Sequence, residues 1–217
     1  MKIPKVIYIC QKTLTHINVY SRNWKKLNPE YEIKLYDDGM CEKFLLEEFS
    51  QLHLDIFKFI PDGPIKADFW RVCILYKYGG LYVDSDIKPL VPLRDYIEEG
   101  VDFVSCLSRF PNEYNPHFIM TNPNDEVMKL CIDFYLKLYE EKKDKYTYWD
   151  WSIVILFNTF LNFKLENSGI YDVSGRKFQF LKEKEGTDYH DHHCLYNEKR
   201  VLNNRYKNYD SVHHKFI

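Results

Sequence analysis

Long hydrophobic runs are missing from this sequence. Uninterrupted apolar stretches such as residues 153–157 are far shorter than the roughly 20 residues that cross a bilayer. The apolar run at residues 6–10 is also too short for the core of a signal peptide. We therefore predict a soluble chain without a membrane segment, located in the cytoplasm or, if the source is a virus, in the host-cell cytoplasm or the virion.

Clustered basic residues and paired cysteines are scarce as well. Lys and Arg number 30 against 32 Asp and Glu, and they are scattered rather than gathered into the basic stripe that a phosphate backbone requires. Nucleic acid is therefore not an expected partner. No two cysteines form a Cys-x-x-Cys pair, so we expect reduced core thiols rather than a zinc or thiol-exchange site. The six cysteines are Cys10, Cys41, Cys73, Cys106, Cys131 and Cys194.

The apolar content suffices for a buried core. Hydrophobic residues make up 45% of the 217 residues and aromatic residues 17%, a composition that argues against disorder. No internal repeat or low-complexity linker divides the sequence, so a single domain is predicted over residues 1–217.

Strand and helix patterns alternate along most of the chain. Strands are predicted at residues 3–10, 31–35, 81–83 and 101–106. Helices are predicted at residues 19–27, 40–49, 65–78, 125–139 and 151–163. The polar segment from residue 168 receives no assignment. The alternation favours an α/β fold with a largely parallel sheet.

An Asp-x-Asp motif follows the strand predicted at residues 81–83. In an extended segment Asp84 and Asp86 point to the same side, so their carboxylates can hold one hard cation. Mg²⁺ and Mn²⁺ prefer such oxygen ligands and leave positions open for phosphate oxygens. Two such aspartates are also common turn formers. The preceding strand and the Gly79-Gly80 pair favour the cation site, because ligands of open α/β sheets gather at the carboxyl ends of strands.

A charged pair lies in the apolar helix before this motif. Asp68 and Arg71 are three residues apart and share a helical face. As a surface salt bridge such a pair would contribute under about 1 kcal/mol. Since the surrounding helix is apolar nearly all round, we expect the pair to be partly buried. We assign it a site role, with Asp68 accepting from hydroxyls of a bound ligand and Arg71 donating to a hydroxyl or phosphate.

Three segments, in order, resemble the OCH1-like glycosyltransferases of family 32. The most specific runs from Ala67 to Asp86 and reads A-D-x-x-R, then L-Y-x-Y-G-G-L-Y-x-D-x-D. Residues 3–7 (I-P-K-V-I) and residues 24–31 (W-x-x-x-N-P-x-Y) resemble two earlier landmarks of the family. The clostridial glucosylating toxins share the central block more distantly.

The resemblance implies a GT-A fold, with a Rossmann-like, mostly parallel sheet flanked by helices. It further implies a retaining enzyme that uses Mn²⁺ or Mg²⁺ to move a hexose from a UDP- or GDP-sugar to a glycan or protein acceptor. Residues 1–110 would form the nucleotide-sugar-binding half and residues 111–217 the acceptor side. A degenerate module that binds the nucleotide sugar without turnover is the alternative.

The resemblance also implies site residues. Catalytic roles fall on Asp68, Arg71 and Asp86, and metal binding on Asp84, Asp86 and a third ligand, His213 or its neighbour His214. The expected donor-binding residues are Ile7, Tyr8, Asp68, Arg71, Tyr76, Gly80, Asp84, Ser85 and Asp86.

The chain departs from the family where the donor base would stack. Members often carry His-Gln-x-Trp after the opening strand, whereas this chain has Tyr8-Ile9-Cys10-Gln11. The sequence therefore does not determine which base the donor nucleotide carries. On the acceptor side, Trp149 and Trp151 could form a wall for a sugar, with Asp150 as a polar contact, although both tryptophans could equally pack in the core.

Three other readings of the motifs carry less weight. The run His190-x-His192-His193-Cys194 could bind a transition metal, but a polar loop is the simpler interpretation. A phosphatase motif would need Thr or Val at Lys88. A nucleotidyltransferase would need a Gly-rich loop after the opening strand, and none follows Cys10.

Overall fold

The computed structural model describes residues 3–14, 17–142, 145–161, 164–186, 192–203, 209–210 and 215–216. Within them the helices are α1 (Ile17–Leu27), α2 (Asp38–Glu48), α3 (Gln51–Phe59), α4 (Gly63–Tyr78), α5 (Glu126–Lys142) and α6 (Ile153–Phe160). The strands are β1 (Val6–Cys10), β2 (Glu32–Tyr36), β3 (Gly80–Val83), β4 (Lys88–Pro89), β5 (Phe103–Leu107), β6 (Tyr114–Thr121), β7 (Gly169–Val173), β8 (Arg176–Lys184), β9 (His193–Tyr196), β10 (Lys199–Asn203), β11 (Tyr209–Asp210) and β12 (Lys215–Phe216).

Strands β1 to β10 form one large sheet, and β11 pairs with β12 separately. Its strand order is β2-β1-β3-β6-β5-β8-β9-β10-β4, with β7 alongside β8. The pairs β1–β2, β1–β3 and β5–β8 are parallel, whereas β6 runs antiparallel to both β3 and β5. The α/β fold is thus confirmed. The sheet is mixed, because β6 and the strands after residue 168 add antiparallel pairings to the parallel ones.

Two apolar cores cover the two faces of the sheet. Side chains along β3 point alternately to the two faces of the sheet and so contribute to both cores. Tyr82 packs into the core beneath α4, while Leu81 and Val83 pack into the core on the side of Trp24. Helix α4 is buried nearly all round, and Asp68 and Arg71 are buried with it. The expected burial of this charged pair is therefore confirmed.

Candidate functional site

Two glycines allow the chain to pass from α4 into β3. Gly79 has φ +62° and Gly80 has φ +102°, values that favour residues without a Cβ. A Cβ on Gly79 would lie 2.6 Å from the Pro123 nitrogen, and one on Gly80 would lie 2.8 Å from the Val6 carbonyl oxygen. The Gly-Gly pair therefore lets β3 lie directly beside β1 and brings Asp84 to the end of the strand.

The aspartate motif forms a turn rather than an extended segment. The Asp84 N–H donates to the His117 carbonyl at 3.0 Å, and the Ile87 N–H returns to the Asp84 carbonyl at 3.1 Å. The sequence argument from extended geometry was wrong in this respect. The turn nevertheless faces a surface cavity, and this cavity is lined by all three of its residues, Asp84, Ser85 and Asp86.

Arg71 stands at the centre of a buried charge network. Its Nη2 lies 2.9 Å from Asp68 Oδ1 and 3.0 Å from Asp84 Oδ1. Its Nη1 donates to the Pro116 carbonyl at 2.6 Å, and its guanidinium lies 4.3 Å from the centre of the Tyr82 ring. Burial alone lowers the pKa of Arg71, but Asp84, Tyr82 and Asp68 raise it above its ordinary value. The guanidinium is therefore a fixed positive charge.

Asp84 is held through one of its two carboxylate oxygens. Besides Arg71, the Tyr82 hydroxyl donates to Oδ1 at 2.8 Å. Both contacts engage Oδ1, so within the described part of the chain Oδ2 is left for other partners. Tyr82 is two residues before Asp84 in the sequence, so the spacing alone could have drawn attention to it.

Asp68 is more deeply buried than Asp84. Its Oδ2 accepts from the Ile153 N–H at 3.1 Å, at the first turn of α6. Burial raises the pKa of Asp68 to about 6, although the Arg71 guanidinium and the Ile153 N–H act in the opposite direction. Above this pH Asp68 is a carboxylate paired with Arg71.

Two cavities meet at Asp84. The first, of about 490 Å³, extends over α4 towards the end of β1, and the second, of about 500 Å³, extends towards β6 and the start of α6. Pro64, Arg71, Asp84 and Asp86 line both. A ligand in either cavity would thus contact the same acidic turn.

The first cavity also contains polar residues that the sequence analysis did not single out. Gln11, Lys12 and Lys66 line it, and Lys66 Nζ lies 4.0 Å from Asp38 Oδ2. Gln11 Oε1 is buried and has no hydrogen-bond partner among the described residues. No local motif marks these side chains, because they converge only when β1 and α4 are packed together.

Four expected donor-binding residues need correction. Ile7 and Tyr8 are buried within β1, in the two cores. Tyr76 packs against the core beneath α4, and Gly80 lies against Val6. None of the four lines either cavity within the described residues. They support the site from below, while Asp68, Arg71, Asp84, Ser85 and Asp86 line its walls.

The expected acceptor residues separate in the structure. Trp149 is 65% exposed and lines the second cavity with Tyr148. Trp151 is fully buried against Phe59 and Tyr135, so its expected role in an acceptor wall is wrong and the core alternative holds. Asp150 is exposed and pairs with a lysine of α5 rather than lining the cavity.

A further polar cluster lies beside the second cavity. Cys194 Sγ is 3.5 Å from Cys106 Sγ and 3.3 Å from His117 Nε2. Burial alone raises the pKa of Cys194, but these two contacts lower it to about 6. Burial conversely lowers the pKa of His117, and Cys194 raises it to about 9. His192 lines the cavity, whereas His190, His213 and His214 lie outside the described residues.

Within the described ranges, no helix has both the length and the apolar character needed to cross a membrane.

This chain is similar to known glycosyltransferases. Residues 15–103 match the family described as "Glycosyltransferase sugar-binding region containing DXD motif". The initiation-specific alpha-1,6-mannosyltransferase of Candida albicans is 31% identical over 83 residues, 37% of this chain and 22% of that protein. Inositol phosphoceramide mannosyltransferase 3 of Schizosaccharomyces pombe is 33% identical over 104 residues, 43% of this chain and 28% of that protein. The chain thus spans less than a third of the length of these relatives.

A solved structure shares the fold. The PaToxG glycosyltransferase superposes with a TM-score of 0.56 at 16% identity, covering 74% of this chain and 68% of that chain. The matched family region contains Asp68, Arg71, Gly79-Gly80 and both motif aspartates. Residues 15–103 are therefore similar to the DXD-containing sugar-binding region of glycosyltransferases.

Proposed function

We propose that this chain is a metal-dependent, retaining glycosyltransferase that moves a hexose from a nucleoside-diphosphate sugar to a hydroxyl of a glycan or protein acceptor. The observation that carries the proposal is the position of Asp84, held by Arg71 and Tyr82 where two cavities meet. The relatives named mannosyltransferases favour mannose as the transferred sugar.

The charges around the turn fit a divalent cation. Asp68 and Asp84 pair with the guanidinium of Arg71, and Asp86, which lines both cavities with Asp84, adds a third carboxylate. Asp84 and Asp86 supply oxygen donors of the kind that Mn²⁺ or Mg²⁺ prefers. These two residues would hold the ion, which when bound supplies Lewis-acid stabilisation of a leaving diphosphate. His213 or His214 stays a predicted third ligand.

The first cavity suits the nucleoside diphosphate. Lys12 and Lys66 offer cationic groups for phosphate oxygens beside the acidic turn. Gln11 Oε1, buried and unpaired among the described residues, offers an acceptor for an N–H of the base. Gln11 thereby takes the place of the aromatic base contact that the family often has.

The second cavity suits the acceptor. Trp149 and Tyr148 provide exposed aromatic surface on which a sugar can stack. During transfer the bond from sugar carbon C1 to the phosphate oxygen breaks, and a bond from C1 to the acceptor oxygen forms. The departing phosphate receives the acceptor's proton, which gives displacement on one face of the sugar without a protein nucleophile. Arg71 and Asp68 orient the sugar between the cavities.

The test measures transfer and hydrolysis of UDP- and GDP-hexoses by the purified chain with Mn²⁺. We expect Asp86→Asn to lose activity by about 100-fold or more, while Asp133→Asn, an exposed aspartate on α5, keeps it. Undiminished turnover in Asp86→Asn or in excess chelator contradicts the proposal. Metal-dependent nucleotide binding without product from any acceptor would instead support the binding module.

A further inference from the structure

Three buried side chains with metal-binding atoms meet behind the cleft. Cys106 on β5, His117 on β6 and Cys194 on β9 place one sulfur or nitrogen atom each within 4.8 Å of one another. Both cysteines are fully buried and His117 nearly so. The three residues are far apart in sequence, so no spacing motif announces the cluster.

Two of the distances within the cluster are close to the edges of a small tetrahedron of ligands. The two sulfur atoms are 3.5 Å apart, and His117 Nε2 is 3.3 Å from Cys194 Sγ. With zinc–sulfur bonds of about 2.3 Å and zinc–nitrogen bonds of about 2.0 Å, tetrahedral ligation separates two sulfur atoms by about 3.8 Å and a sulfur from a nitrogen by about 3.5 Å. Small side-chain rotations would therefore bring all three atoms into ligand positions.

A disulfide fits this arrangement less well than a metal. Strand β8 lies between β5 and β9, with Leu181 opposite Cys106 and Glu183 opposite Cys194. Strands that are second neighbours lie roughly 9–10 Å apart, whereas a disulfide needs Cα atoms within about 7 Å. A bridging ion spans a wider gap, and two thiolates with one imidazole select a soft ion such as zinc.

We propose that Cys106, His117 and Cys194 bind a Zn²⁺ ion that is separate from the cation of the acidic turn. Three protein ligands leave a fourth position, which a water molecule can fill. The ion joins β6 to β5 and β9, which come from distant parts of the chain. Because the His117 carbonyl accepts from the Asp84 N–H at 3.0 Å, the zinc also steadies the start of the Asp84–Ile87 turn. This zinc site is additional to the proposed transfer reaction and does not depend on it.

The experiment measures zinc in the purified full chain after dialysis against metal-free buffer. We expect about one equivalent of zinc per chain, lost in Cys106→Ala and in Cys194→Ala. Two matched variants should retain it: Cys131→Ala, which removes a buried thiol of α5 outside the cluster, and Asp86→Asn, which alters the acidic turn. Circular dichroism of each variant shows whether it is folded.

Cobalt provides a second measurement on the unaltered chain. Co²⁺ in the cluster should give a thiolate-to-metal charge-transfer band, which a site built from oxygen ligands alone cannot produce. The proposal is overturned if the zinc content of the unaltered chain is no higher than that of Cys106→Ala, or if peptide mapping finds a Cys106–Cys194 disulfide. Absence of the cobalt band in reduced protein would overturn it as well.

Discussion

The guanidinium of Arg71 lies 3.0 Å from the carboxylate of Asp84, and this ion pair joins α4 to the turn that follows β3. The side chain of Arg71 is only 4% exposed, while that of Asp84 is 32% exposed. The buried partner is thus fixed and the outer partner faces the cleft. Arg71 therefore determines where the Asp84 carboxylate stands.

Two substitutions of Arg71 should distinguish the effect of its positive charge from the effect of its hydrogen-bond geometry. Arg71→Ala leaves Asp68 and Asp84 without their cation, and breaking such a buried pair costs about 3–5 kcal/mol. Arg71→Lys keeps the charge but cannot reach two carboxylates and the Pro116 carbonyl together, so we expect a smaller loss of stability with a large loss of transfer. Urea denaturation and donor turnover measure the two effects.

The control for these variants is Arg94→Ala. Arg94 forms an exposed pair with Glu30 at 3.5 Å, so its removal should change the free energy of unfolding by less than about 1 kcal/mol. Equal losses at Arg71 and Arg94 would contradict the buried network.

The raised pKa of Asp68 predicts a pH-dependent contribution to stability. In the folded protein the carboxyl group of Asp68 has a pKa of about 6, whereas the ordinary pKa of an aspartate is 3.8. Asp68 therefore favours the folded state most below pH 3.8, and this contribution is lost as the pH rises to about 6. The difference corresponds to about 3 kcal/mol.

Asp68→Asn isolates that contribution, because an amide does not titrate. We expect the free energy of unfolding of the unaltered chain, minus that of the variant, to fall between pH 4 and pH 6 and to stay level from pH 6 to 8. A difference that is flat across the lower range, or that rises with pH, would refute the pKa shift.

The local part of the site was open to prediction from sequence. Helix α4 is apolar nearly all round, so burial of Asp68 and Arg71 followed from the pattern, and Gly79-Gly80 marked the end of the helix. A short apolar strand then led to the aspartates. These features depend on residues within one continuous segment, where periodicity and turn chemistry apply directly.

The parts of the fold and of the site that could not be predicted depend on pairing between segments that are distant in the sequence. Strand β6 contains Pro116 and the buried polar residues His117 and Thr121, so it lacks the alternation that marks a strand. Its position is set by pairing with β3 and β5. Strands β7 to β10 lie within the polar segment from residue 168, which received no assignment. The Cys106–His117–Cys194 cluster escaped detection for the same reason.

Gly80→Ala should destabilise the protein more than Gly100→Ala or Gly63→Ala. An added Cβ meets the Val6 carbonyl at 2.8 Å in a backbone with φ +102°. Strain of this kind costs about 1–3 kcal/mol before the clash is counted. Gly100→Ala has φ +75° with open space around it and should show strain alone, while Gly63→Ala should be nearly neutral. Thermal unfolding that ranks the three differently would contradict this account.

Gln11→Leu should change stability and donor binding in opposite directions. The substitution removes a buried oxygen that has no partner among the described residues, so we expect the free energy of unfolding to rise by about 1 kcal/mol. The same change removes the proposed base contact, so the affinity for the nucleotide should fall. Calorimetry with UDP and GDP measures the second effect, and unchanged affinity for both would exclude Gln11 from the base site.

Trp149 and Trp151 should respond to truncation in contrasting ways. Trp149 is exposed on the second cavity, so Trp149→Ala should leave the free energy of unfolding within about 0.5 kcal/mol. Its acceptor KM should rise while its donor KM stays the same, because only the acceptor stacks there. Trp151→Ala removes a fully buried ring and should cost about 3–5 kcal/mol. If the acceptor KM is unchanged in Trp149→Ala, the acceptor binds elsewhere, because the other proposed contacts would not change the acceptor KM without also changing the donor KM.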